Sequence, residues 1–333
     1  CSSDLKRKNM INLKKVGVSA LAGSLAMFAV NAGEMGLKGS AEATYTSNSG
    51  AGTSLGGNPY GLSHDIQIFG SGEMDNGWAY SISSDFQMND MAADSSILKI
   101  DMGGLGTIGF DQGSGAFGIG TLEQEVPTAY EEASHAVGTL SHGIDRNSAM
   151  NVLGYSNTFL GLGVSVEYNP EIGATTAQGA GGVTGGVSTG SELNYALTYA
   201  VPSMDGLTLA YGAADTNHGT AESSETSEQV AAVNYVMGAL KFGVSISESV
   251  TTGNVAQSNT HMGIAFNVND NLSISYNTND AQDYNIGTAG GAEYEESSTS
   301  VNAAYALGGA SARVVWSKAD NVGGVLDIES EST

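Results

Sequence analysis

The sequence is short of cysteine, proline and positive charge. Among 333 residues there is one Cys, there are four Pro, and 11 Lys or Arg stand against 35 Asp or Glu. A single Cys excludes a disulfide framework and any CxxC metal site. The formal net charge of −24 excludes a nucleic-acid partner, because phosphate binding needs clustered Lys and Arg. Scarce Pro argues against disorder, and 47 Gly argue against a helical bundle. Ser, Thr, Asn, Gly and Tyr are plentiful. What remains is a large, polar, acidic all-β protein.

Long apolar runs are missing too, with one exception at the start. Lys6, Arg7, Lys8, Lys14 and Lys15 precede an apolar stretch from Val16 to Val30 that ends Val30-Asn31-Ala32. Basic start, short apolar core and small-residue end describe a secretory signal peptide, with the mature chain beginning at Gly33. The stretch is shorter than the roughly 20 apolar residues a spanning helix needs. Met10 is the natural initiator, so Cys1 to Asn9 read as an upstream extension. Cys1 precedes the apolar core, where a lipidated Cys would follow it. The leader holds five of the 11 basic residues, which leaves the mature chain more acidic still.

From Glu34 the sequence alternates with period two, the pattern of a strand with one apolar and one polar face. Met35, Leu37, Ala41, Ala43 and Tyr45 share one face, Lys38, Ser40, Glu42 and Thr44 the other. About fifteen such runs follow one another to Trp316, each near the length of a tilted membrane strand. Their connections alternate between tight turns, such as Asp75-Asn76-Gly77, and long polar loops, such as Gln112 to Met150. That rhythm predicts an all-β fold, a transmembrane antiparallel β-barrel with short turns at one end and long loops at the other. Tyr45, Trp78, Phe86, Phe110, Tyr155, Tyr168, Tyr199, Tyr211, Tyr235, Tyr276, Tyr305 and Trp316 fall near run ends, where a barrel places its aromatic girdles. If the apolar face meets lipid, the small polar face encloses water.

Several segments carry a further resemblance: the leader Met10-Ile11-Asn12-Leu13-Lys14-Lys15-Val16-Gly17, the mature opening from Gly33 to Tyr45, the turn from Gly72 to Trp78, and Gly104-Leu105-Gly106-Thr107-Ile108-Gly109-Phe110. In these the sequence resembles the Gram-negative general porins, most closely the alphaproteobacterial type. The resemblance implies a single barrel domain over residues 33–333 with 16 strands, a homotrimer, and a third external loop, at about 112–150, that folds into the lumen. It also implies the outer membrane as location, with its lipid and the barrel assembly machinery as partners. Porins of this type end in a strand closing on an aromatic residue, whereas this chain stops at Ser332-Thr333 in an acidic stretch. The expectation is a chain cut inside its eighth external loop, with the last strand missing.

Charged positions complete the expectations. An inward third loop would present Glu123, Glu125, Glu131, Glu132 and Asp145, with Arg146, to the passage. By parity Lys38, Glu42, Asp65, Glu73, Asp85, Lys99, Asp101, Lys241 and Arg313 face the lumen. Opposed charges there would orient water and favour small polar solutes, and the scarcity of basic residues tilts the pore toward cations. An acidic solvated loop is the alternative for the third loop, and a non-conducting surface barrel, adhesin or structural, is the alternative for the whole. His64, His135, His142, His218 and His261 read as loop or strand-end histidines without metal-ligand spacing. No Gly-x-Ser-x-Gly elbow or paired His and Asp motif stands out, so an enzyme is not expected. No cofactor is expected either, although the acidic stretches 222–228 and 293–296 offer sites for divalent cations.

Overall fold

Alternating runs become strands almost everywhere they occur. The structure, a computed structural model, describes residues 33–50, 58–87, 92–123, 126–133, 151–170, 190–217, 225–251, 255–284, 293–322 and 329–332. The strands are β1 (Glu34–Tyr45), β2 (Asn48–Gly50), β3 (Tyr60–Glu73), β4 (Ala79–Gln87), β5 (Ala92–Asp101), β6 (Thr107–Gln112), β7 (Val152–Phe159), β8 (Leu162–Asn169) and β9 (Ser191–Ala200). They continue as β10 (Leu207–Asn217), β11 (Thr226–Met237), β12 (Leu240–Thr251), β13 (Val255–Asn267), β14 (Leu272–Tyr284), β15 (Glu293–Ala306), β16 (Ser311–Asp320) and β17 (Glu329–Ser332). Two residues separate β1 from β2, which together act as one strand.

Every pairing is antiparallel, and from β3 to β17 each strand pairs with the next in the chain. β1 pairs with β3, and β17 returns to β2 through Ser330↔Gly50, Glu331↔Ser49 and Ser332↔Asn48. The sheet therefore curls back on itself but is stitched only at that end. Along Glu34–Tyr45, β3 is the one ladder partner of β1 among the described residues. The acidic tail read above as loop is thus partly strand: Glu329–Ser332 pairs with Asp320 to Ser317 of β16.

Tight connections cluster at one end: 74–78, 102–106, 160–161, 201–206, 238–239, 268–271 and 307–310. The Asp75-Asn76-Gly77 turn forms because Gly77 takes φ 81° and the Asn76 side chain accepts a hydrogen bond from Trp78 N (3.1 Å). The opposite end carries the longer connections, with two departures from the expected rhythm: 88–91 and 252–254 are short. No helix among the described residues is long and apolar enough to cross a membrane.

The two faces separate cleanly. Met35, Leu37, Leu62, Ile82, Leu209, Val233, Val244, Ile264, Ile274, Val301 and Val314 are exposed on the outside, as lipid-facing side chains are. The sheltered face is chiefly Ser, Thr, Asn, Ala and Gly, with charged residues among them. Some aromatics lie at strand ends and others within strands. Trp78, Tyr199, Tyr235 and Tyr305 lie at the tight-turn ends, and the Tyr155 hydroxyl is tied there by donating to Leu105 O (3.0 Å). Tyr211, Tyr276 and Trp316 lie mid-strand, where the outer stripe turns polar: beyond Tyr276 come Thr278 and Asp280. The alternating run ends there, but the strand continues.

Candidate functional site

The sheltered face is occupied by the segment between β6 and β7. Asp111, at the end of β6, is buried and turns the chain inward by accepting bonds from Ser114 N (2.7 Å), Ser114 Oγ (2.7 Å) and Ala116 N (3.0 Å). Carboxylates holding several N–H and O–H donors make strong local clamps. Phe117 then lies flat over Gly109 and Gly154, where any Cβ would meet its ring. A short 3-10 turn, Ile119–Leu122, follows.

Burial and hydrogen bonds fix this segment to the wall strand by strand. Phe117, Ile119 and Leu122 are 1%, 0% and 2% exposed, and the last two pack with Ala196, Ala210, Ala214, Val230 and Ala232 of β9 to β11. Each such side chain contributes on the order of 1.5–3 kcal/mol of burial. Gly118 N donates to Ser165 Oγ (2.9 Å), Ile119 N to Asn194 Oδ1 (3.0 Å), Ala129 N to Ser275 Oγ (2.9 Å) and Glu131 N to Asn302 Oδ1 (3.1 Å), while Pro127 O accepts from Asn277 Nδ2 (2.9 Å). Loop carbonyls and amides that leave water are thereby satisfied by wall side chains. The segment runs inside the sheet from β6 past β8, β9, β14 and β15.

At its far end Tyr130 reaches the seam between β16 and β1. The Arg313 guanidinium stacks over its ring (4.4 Å to the centroid), and Arg313 Nη2 donates to Glu42 Oε1 (2.6 Å), which also accepts from Tyr130 OH (3.4 Å). Burial, reinforced by Glu42, raises the Tyr130 hydroxyl pKa. The Arg313–Glu42 pair is partly exposed, so about 0.2–1 kcal/mol is its expected contribution. Its greater effect is to neutralise one of the few inner cations.

The predicted charged positions divide. Lys38, Glu42, Asp65, Glu73, Asp85, Lys99 and Asp101 occupy the inner face of β1 to β5, with Arg313 and Lys241 inward on β16 and β12. Lys99 lies over the Phe117 ring (5.6 Å), Lys38 over Phe69 (5.1 Å), and Asp85 accepts from Gln67 Nε2 (2.8 Å) and Ser95 Oγ (3.1 Å). Glu123 is exposed, and Glu131 and Glu132 are partly buried beside it. Burial first, then repulsion by Glu123 and Glu131, raises the Glu132 carboxyl pKa to about 7. Glu125, Asp145 and Arg146 lie outside the described residues.

Parity gives the direction of four further acids but not their burial. Glu167, Glu192, Glu228 and Glu296 are buried on the inner face toward the long-loop end. Asn194 Nδ2 bridges two of them, donating to Glu192 Oε1 (2.6 Å) and Glu167 Oε1 (3.4 Å). His64 and His261 prove to sit within β3 and β13, not at loops or strand ends, because both runs are longer than their apolar parts. No group of three or more His, Cys, Asp or Glu able to hold a metal occurs among the described residues. Gly186-Val187-Ser188-Thr189-Gly190 formally matches Gly-x-Ser-x-Gly, but it leads into strand β9 and not into the helix a nucleophile elbow requires.

An inward loop over a polar, water-accessible wall, inside a sheet with an apolar exterior, is channel architecture. The profile of the Gram-negative porin family matches residues 17–324. The chain belongs to that family. The porin is accordingly an outer-membrane channel for passive diffusion and not an enzyme. Among solved structures it is similar to OmpF of Salmonella typhi (11% identity, 90% of this chain and 95% of that one covered, TM-score 0.61). It is also similar to OmpT of Vibrio cholerae (12%, 91% and 97%, 0.58) and to a mutant porin of Rh. blastica (13%, 90% and 98%, 0.56). Comparison with curated protein sequences finds no match. At these identities the porin shares a fold with its structural neighbours, and its selectivity has to be read from its own residues.

Proposed function

We propose that this porin passes small hydrophilic solutes and ions with a preference for cations, through a passage bounded by the acidic flank of the inward loop and the charged wall of β1 to β5. The observation that carries this reading is the imbalance at the passage. Glu123, Glu131 and Glu132 stand on the loop, while Arg313 is already paired with Glu42. Fixed negative charge near a narrow aqueous path concentrates cations and repels anions. The same reading includes export by the leader, insertion by the barrel assembly machinery and assembly as a homotrimer. The thin outward strip of Gly39, Ala41, Ala43, Gly70 and Gly72 on β1 and β3 favours close approach of another protomer.

Reversal potential across a planar bilayer in a KCl gradient tests the preference. A potential of the sign set by potassium is expected, and a chloride-directed potential would overturn it. Migration as a larger species on an unheated gel, lost on boiling, tests the homotrimer.

A further inference from the structure

Below the inward loop, on the tight-turn side, the wall of β6 to β9 forms a cavity of about 410 Å³. That volume lies within the roughly 300–1,000 Å³ of small-molecule sites. Half of the lining residues carry hydroxyls, Thr107, Thr121, Ser156, Thr158, Ser165 and Thr198; Asn157, Val164, Ala196 and glycines complete the lining, with no Asp, Glu, Lys or Arg.

Register explains its regularity. Thr107 pairs with Ser156 and Ser156 with Ser165; one step nearer the turns, Thr158 pairs with Gly163 and Gly163 with Thr198. Inner positions two residues apart along each strand thus form two tiers of hydroxyls, with about 4.8 Å between neighbouring strands. Thr121 donates to Gly118 O (2.7 Å) and Ser165 accepts from Gly118 N (2.9 Å), which ties the roof of the cavity to its wall. The hydroxyls of Thr107, Ser156, Thr158 and Thr198 make no side-chain hydrogen bond among the described residues.

We infer that this cavity is a weak binding subsite for uncharged polyhydroxylated solutes of monosaccharide size, set beside the ion path. The inference rests on the channel reading above. A hydroxyl both donates and accepts, so a tier of unengaged Ser and Thr matches a ring bearing hydroxyls in several orientations. An ion seated there would lose hydration without gaining a countercharge, and an apolar solute would leave the hydroxyls unsatisfied. Each hydrogen bond adds little net free energy, so occupancy is brief, as passage through a channel requires.

The test is glucose titration of single channels of the full chain in KCl, each current normalised to the same channel without sugar. The current is expected to fall with glucose and to saturate. Ser156→Ala combined with Thr198→Val is expected to weaken the half-saturating concentration about tenfold, and Thr107→Val alone to weaken it less. A fall that only tracks solution viscosity without saturating would overturn the subsite, as would saturation unchanged in both variants. An absence of any KCl current would instead overturn the channel reading, and the subsite with it.

Discussion

The inner wall has two halves built from different chemistry. β1 to β5, with Arg313 of β16, present Lys38, Glu42, Asp65, Glu73, Asp85, Lys99 and Asp101. β6 to β15 present chiefly Gly, Ala, Ser, Thr and Asn, with acids buried toward the long-loop end. The inward loop lies against the second half, because small side chains there leave room for Phe117, Ile119 and Leu122 and neutral amides and hydroxyls bond its backbone along the wall. Tyr130, next to its acidic Glu131 and Glu132, reaches Glu42 and Arg313 of the first half. One half holds the loop and the other presents charge to permeating ions; where the holding half does bury carboxylates, Glu167 and Glu192, the Asn194 amide bonds both.

Breaking the holding half should give the largest effect. Replacing Phe117, Ile119 and Leu122 together by Ala removes the apolar anchor, at a cost of several kcal/mol from about 2–5 kcal/mol per large-to-small change, less than additive for neighbours. The loop is expected to leave the wall, so conductance rises and becomes noisy while the heat resistance of the barrel is kept. Single-channel recording with limited proteolysis checks this. Unchanged conductance would mean that the backbone bonds at Ser165, Asn194, Ser275 and Asn302 suffice alone.

That anchor also marks where the sequence was legible and where it was not. Period two exposes strands, turns and the sign of each face, since side-chain direction in a strand depends on nothing remote. It does not reveal what lies against the inner face. Ala196, Ala210, Ala214, Val230 and Ala232 interrupt the polar stripe on adjacent strands, which is the one local signal of an apolar occupant. The charged positions of β1 to β5 followed from parity. Glu167, Glu192, Glu228 and Glu296 share that parity, but their burial is set by packing between strands distant in sequence. Tyr276 and Trp316 show the same limit at the outer face: alternation of hydrophobicity stops at the membrane edge, whereas the ladder of hydrogen bonds does not.

On the acting half, the raised Glu132 carboxyl gives a pH test of intermediate size. With a pKa of about 7 it is mostly protonated at pH 6 and mostly ionised at pH 8. Raising pH through 7 therefore adds negative charge to the loop flank, and the potassium-to-chloride permeability ratio should climb in that window. Glu132→Gln should abolish the step and hold the ratio near its low-pH value. A step of the same size in the variant would assign the titration to another group.

The smallest effect separates the two halves by their cations. Lys99 stands on the inner face of the charged half, over Phe117 at the root of the loop, whereas Lys241 is the second residue of β12, at the tight-turn end of the holding half. In 0.1 M salt the Debye length is about 10 Å, so a charge acts on permeating ions only from close by. Lys99→Gln should raise the cation preference severalfold, from an interaction of about 1 kcal/mol at contact range in water. Lys241→Gln should change it little, and both differences should shrink in 1 M salt, where screening falls to about 3 Å. Equal effects of the two substitutions on reversal potential would show that the passage is not confined to the charged half, and that the loop does not divide the lumen as its anchors imply.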